Sequence, residues 1–143
     1  MALLAVGTPA PAFKGMNLTG PEINSDNYKG KKPVALIFSS TRVDPAQIKA
    51  VKEIWTRLRD KVEIITVSYK LPSVSMAKSF MQQMGAKFPA MYDPSQAVYK
   101  LFGVENPVGI VIINAEGNIV HAAEALETKD TKALEEAITA QLA

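Results

Sequence analysis

The sequence contains no cysteine. That removes disulfides, thiolate nucleophiles and the usual guide to redox compartment together. The one histidine, His121, is far in sequence from the hydroxyls of Ser39, Ser40 and Thr41, so a histidine-activated hydroxyl has no base close by. Charge of one sign is also missing. Sixteen Lys and Arg stand against fourteen Asp and Glu, leaving a net +2 with no local accumulation, and neither nucleic acid nor a membrane surface is expected as partner. No apolar run approaches the roughly 20 residues of a membrane span. Met1 to Val6 is apolar, but it lacks a basic start and is shorter than the roughly 7 to 15 residues of a signal core. The chain as given is expected to be soluble and without membrane insertion, in the cytoplasm or, if a leader has been removed, in a bacterial periplasm. There is no metal-ligand spacing and no phosphate-binding glycine loop, so no metal or cofactor is expected.

What is present suits one core. The 143 residues are 48% hydrophobic, enough for a single domain spanning 1–143. Pro9, Pro11, Gly15, Gly20, Pro21 and Gly30 punctuate the first thirty residues too often for a helix, which predicts short strands and turns there. Asn17, Leu18 and Thr19 spell a glycosylation acceptor, to which no role is assigned. The unbroken run Val34 to Phe38 reads as a strand buried on both faces.

A helix is expected next. Asp44 suits an N-cap, Pro45 the first helical position and Gln47 the residue that bonds back to the cap, while Val51, Ile54, Trp55 and Leu58 recur at spacings of three and four on a buried face. A second buried strand, Val62 to Ser68, precedes a helix introduced by Ser73 and closed by Gly85, with Met76, Ala77, Phe80, Met81 and Met84 on one side. Asp93, Pro94, Ser95 and Gln96 repeat the Asp-Pro-x-Gln start. That predicts a second capped helix carrying Val98, Leu101 and Phe102, closed by Gly103. Ile110 to Ile113, the turn Asn114 to Asn118 and Ile119 to Ala123 read as a hairpin, followed from about Asp130 by a helix with Leu134, Ile138 and Leu142 inward. This order predicts an α/β fold, a mixed central sheet flanked by helices on both faces.

Gly7, Pro9, Pro11 and Phe13, then Tyr28 to Lys32, then Phe88, Pro89 and Asp93, then Gly103, Val104 and Pro107 carry, in their order and spacing, a resemblance to a known group of proteins. The chain resembles the bacterial thiol-disulfide proteins of the TlpA and ResA type and the related AhpC/TSA peroxiredoxins. The resemblance spans most of the chain and implies a thioredoxin-like fold with an N-terminal β extension. It also implies a redox site just after the first central strand, facing a cis proline matched by Pro107.

The departure from the pattern falls at that site. On the TlpA alignment, Val43 and Ala46 stand where the two cysteines of Cys-x-x-Cys would be. On the peroxiredoxin alignment, Thr41, Val43 and Pro45 match the surroundings of the peroxidatic cysteine and Asp44 takes its place. The family's proline four residues before the threonine is Ile37 here, and its second arginine is missing, because Arg42, Arg57 and Arg59 are the only arginines. Neither alignment leaves a thiolate, so thiol oxidoreductase or peroxidase activity is not expected.

Asp44 reads either as a helix cap or as a carboxylate acting on a substrate; Arg42 reads either as a solvated loop residue or as an anion-holding partner to the helix N-terminus. The expectation is a redox-inactive, cysteine-less module that binds a protein or peptide in a groove formed by Thr41, Arg42, Asp44, Asn106 and Pro107. The alternatives are an enzyme of non-thiol chemistry using Asp44 and Arg42, or a cysteine-less variant of an active thiol protein. Met76, Met81, Met84 and Trp55 are expected in the core.

Overall fold

The computed structural model describes residues 5–38, 45–69, 73–104, 109–124 and 131–140. Among these residues seven strands and four α-helices follow one another as β1 (Lys14–Asn17), β2 (Ile23–Asn24), β3 (Val34–Phe38), α1 (Pro45–Leu58), β4 (Glu63–Ser68), α2 (Val74–Gln83), β5 (Ala90–Tyr92), α3 (Ala97–Phe102), β6 (Gly109–Ile113), β7 (Ile119–Glu124) and α4 (Thr131–Ala140). They build one mixed sheet in the order β2-β1-β5-β4-β3-β6-β7. β3, β4 and β5 run parallel, whereas β6 is antiparallel to β3.

All five residues of β3 and all five of β6 are buried, as unbroken apolar strands in mid-sheet require. Side chains alternate between two cores. Ala35, Ile37, Ile64, Ile110 and Ile112 meet Ile48, Val51, Ile54 and Leu58 of α1, Ala77 and Met81 of α2, and Ile138 of α4. Leu36, Phe38, Ile65, Val67, Val111 and Ile113 meet Phe13, Ile23 and the α3 side chains Val98, Tyr99 and Phe102. Each fully buried aliphatic or aromatic side chain contributes about 1.5–3 kcal/mol. Arg57 of α1 and Glu135 of α4 form an ion pair on the surface, with Arg57 Nε 3.1 Å from Glu135 Oε2.

The N-terminal residues form the expected β extension and close both flanks of the sheet. β1 pairs with β5 through Met16↔Tyr92 and Asn17↔Met91. Ahead of it, Gly7 N donates to Ile119 O (2.7 Å) and Ala10 N to Gly117 O (2.8 Å), tying the start of the chain to the hairpin turn. The Asn17-Leu18-Thr19 triplet has a structural role. Asn17 Oδ1 accepts from Thr19 N and Oγ1 (both 3.0 Å) and from Ala90 N (3.1 Å), and Thr19 Oγ1 donates to Phe88 O (2.8 Å).

α1 begins at Pro45, and Ser73 Oγ caps α2 by accepting from Met76 N (3.3 Å). The second Asp-Pro-x-Gln start works differently from the expectation. Pro94 and Ser95 form a turn, Gln96 takes a left-handed conformation (φ 58°), and α3 begins only at Ala97. Asp93 still serves the helix from four residues away. Its Oδ1 accepts from Ala97 N (2.9 Å) and its Oδ2 from Val98 N (2.9 Å) and Tyr99 N (3.3 Å), with the residue 5% exposed. Gly103 closes α3 at φ 71°, a conformation a Cβ disfavours.

Three other expectations are corrected. Met76 is 67% exposed and Leu101 40%, each lying just outside the apolar stripe of its helix, while Met81 is buried and Met84 packs at the core margin. Trp55 is half-buried because its indole needs a polar partner, and Nε1 donates to Glu63 Oε1 (3.1 Å) while the Arg59 guanidinium stacks 4.7 Å from its ring. Leu142 and the side chain of Leu134 lie outside the described residues.

The Asp93 cap gives a direct stability prediction. Asp93→Ala leaves three N–H groups without their acceptor and lowers unfolding free energy by about 2–3 kcal/mol in urea denaturation. Asp93→Asn, with one acceptor oxygen in place of two, recovers part of that loss.

Candidate functional site

Strand direction fixes where a site can form. Because β3, β4 and β5 are parallel, their C-terminal residues Phe38, Ser68 and Tyr92 end at one edge of the sheet. Phe38 is paired with Gly109, the first residue of β6, so segments 39–44 and 105–108 join the sheet at neighbouring points on that edge. Ligands of open α/β sheets bind at this edge, where successive connections diverge. Here β3 continues through α1 to β4 on one side, while β6 lies on its other side.

The residues singled out from sequence map onto those two segments. Thr41, Arg42, Val43, Asp44, Asn106 and Pro107 lie outside the described residues, as does the expected cis bond at Pro107. Pro45 and Ala46 open α1. The register thus pairs Phe38, which precedes one part of the expected groove, with Gly109, which follows the other.

Below this edge is an aromatic cluster that composition and spacing had not revealed. Phe38 contacts Tyr99 edge-to-face (centroids 4.8 Å apart), Tyr99 contacts Tyr69 (5.0 Å, 87°), and Phe38 also meets Phe102 (6.2 Å), which meets Phe13 (5.9 Å). Tyr99 Oη lies 3.4 Å from Val67 O as donor. Burial, with the neighbouring Tyr69 and Asp93, pushes the Tyr99 phenol well above the ordinary tyrosine range. The available signal for Tyr99 was its position next to Val98 and three residues before Phe102, which makes the inward face of α3 wider than a single i, i+4 row.

The described part of the edge is chemically quiet. Asp93, the carboxylate that follows β5, is committed to three backbone N–H groups, and His121 lies away from it, opposite Ile112 in the β6–β7 ladder. Among the described residues no three His, Cys, Asp or Glu side chains are grouped to hold a metal, and no helix is long and apolar enough to cross a membrane.

Comparison with known proteins agrees with this architecture. The profile of the AhpC/TSA family matches residues 6–122. Thiol-disulfide oxidoreductase ResA of Bacillus thuringiensis (strain Al Hakam) is 28% identical over 130 residues, which cover 89% of this chain and 74% of that protein. ResA of Geobacillus thermodenitrificans (strain NG80-2) shows the same identity and coverage. Among solved structures, Mycobacterium bovis AhpC superposes with a TM-score of 0.79 over 100% of both chains at 19% identity. The mitochondrial 2-cys peroxiredoxin of Plasmodium falciparum gives 0.78 at 18% identity, covering 96% of this chain and 94% of that one. At such identities the superpositions show the fold, which is thioredoxin-like.

Tyr99 supplies a pH test of the cluster beneath the edge. Its folded value lies above that of the unfolded chain, so its contribution to stability is fully present below about pH 10 and is lost as pH rises above it. Urea unfolding between about pH 8 and pH 11 is expected to show stability falling at the alkaline end. Tyr99→Phe makes that alkaline fall shallower while lowering stability at neutral pH.

Proposed function

We propose that this chain, which belongs to the AhpC/TSA family and has no cysteine, is a redox-inactive thioredoxin-like domain that binds an extended protein or peptide segment beyond the paired strand ends Phe38 and Gly109. The observation that carries the reading is an intact scaffold around a missing nucleophile. The β3–β6 register, the start of α1 and the aromatic floor are all present. The residues aligned with the reactive thiols are Val43 and Ala46 or, on the peroxiredoxin alignment, Asp44. Thiol-disulfide exchange and peroxide reduction both begin with a thiolate, which this chain cannot form. Binding needs no thiolate. Backbone groups beside a strand end pair with an extended segment, and nearby side chains set its preference. In this proposal Thr41, Arg42, Asp44, Asn106 and Pro107 line the groove, and Asp44 caps α1. A bacterial source, in keeping with the Bacillus and Geobacillus relatives, belongs to the same proposal.

The test combines two measurements on the purified chain. Dithiol-coupled insulin reduction and hydrogen peroxide consumption are expected at the level of buffer alone; turnover by the wild type in either assay would overturn the redox-inactive part. For binding, a peptide selected from a random library is titrated into labelled protein. Amide shifts are expected to concentrate around Phe38, Ala46 and Gly109, and Asp44→Arg combined with Pro107→Ala is expected to weaken affinity about tenfold or more. Shifts confined to other faces, or unchanged affinity in the double variant, would refute the groove.

A further inference from the structure

α2 carries a methionine where a helix start of its kind ordinarily has a glutamate or glutamine. Ser73 is the N-cap, with extended backbone (φ −163°, ψ 132°), and its Oγ accepts from Met76 N (3.3 Å). That bond is one half of a capping box, in which the side chain of the third helical residue reaches back to the backbone N–H of the cap. Here the third helical residue is Met76, whose thioether is a weak acceptor. The second half is therefore missing, and among the described residues the Ser73 N–H donates to none. The first turn of α2 holds no acidic residue that could serve instead.

The same side chain is the most accessible thioether in the described structure. Met76 is 67% exposed and Met16 47%, whereas Met81 and Met91 are buried and Met84 packs at the core margin. Met76 belongs to neither apolar cluster, so a polar atom added to it costs no buried contact. We infer that Met76 is an oxidation site whose sulfoxide completes the cap of α2. Hydrogen peroxide transfers an oxygen to the lone pair of Met76 Sδ: the S–O bond forms, the O–O bond breaks, sulfur gives up two electrons, and the remaining hydroxide takes a proton and leaves as water. The sulfoxide oxygen stands as many bonds from Cα as Oε1 of a glutamine and is a strong acceptor. Long side chains in helices lean toward the N-terminus, which brings this oxygen back over the free Ser73 N–H, at the end of the helix dipole that favours an acceptor. The reaction uses one peroxide per thioether and then stops, so it is separate from catalytic peroxide reduction and from the proposed peptide groove. Met16, within β1, has no cap to complete.

The test uses the full chain and hydrogen peroxide, read by peptide mass mapping, thermal unfolding and amide hydrogen exchange. Met76 is expected to gain oxygen first and Met16 next, with Met81 and Met91 unmodified while the chain is folded. In a Met16→Leu background, oxidation of Met76 is expected to raise Tm by about 1–3 °C and to slow exchange of the Ser73 amide several-fold. Met76→Gln supplies the acceptor without oxidant and is expected to reproduce both effects. Met76→Leu is expected to show neither, with or without peroxide. Oxidation of Met81 or Met91 ahead of Met76, or a Ser73 amide that exchanges no more slowly in the oxidised chain and in Met76→Gln, would overturn the inference.

Discussion

The pairing of β3 with β4 on one side and β6 on the other is the constraint on which the rest of the molecule depends. The strand Val34–Phe38 satisfies its backbone on both edges and buries all five side chains, alternately against α1, α2 and α4 and against α3. A one-residue slip would exchange these two sets and place Phe38 where Ile37 belongs. The same register joins the end of β3 to the start of β6 and so determines which two connections adjoin. Fold and candidate site therefore have one origin.

The polar groups at that edge illustrate how a fold keeps its geometry where a reactive atom is missing. Asp93 holds the start of α3, and Tyr99 packs between Phe38 and Tyr69 with its hydroxyl on the β4 backbone. Both act on structure, through hydrogen bonds and ring contacts inside the domain. These supports need no thiol, because they are carboxylate, phenol, ring and backbone groups of Asp93, Tyr99, Phe38, Tyr69 and Val67. Persistence of the family scaffold in a chain without cysteine follows from this separation of support and chemistry.

How much could be read from the sequence depended on whether a segment's signal was local. Val34 to Phe38 and Ile110 to Ile113 were legible as strands because full burial leaves an unbroken apolar run, and the hairpin was legible from its Gly-containing turn. β5 was not, since three residues between Pro89 and Asp93 carry no period and become a strand only through β4 and β1 on either side. The start of α3 was placed too early because the Asp-Pro pattern does not say that a turn and a left-handed Gln96 come first. Met76 and Leu101 were assigned inward because a spacing of three or four does not give the width of the buried stripe. The family pattern puts the expected site between β3 and α1, in residues 39–44, which lie outside the described residues. Tyr99 depends on long-range packing, because its partners Phe38 and Tyr69 lie in other elements of the chain.

The central claim is that the edge beyond Phe38 is a thioredoxin-type site complete except for its thiols. Restoring them tests it most directly, through the double substitution Val43→Cys, Ala46→Cys. If the claim holds, the variant forms an intramolecular disulfide and reduces insulin where the parent chain does not. One of its thiols also titrates below the ordinary cysteine value of about 8.5, because the start of α1 favours the thiolate. A folded variant whose two thiols stay unlinked, titrate like free cysteine and give no turnover would contradict the account.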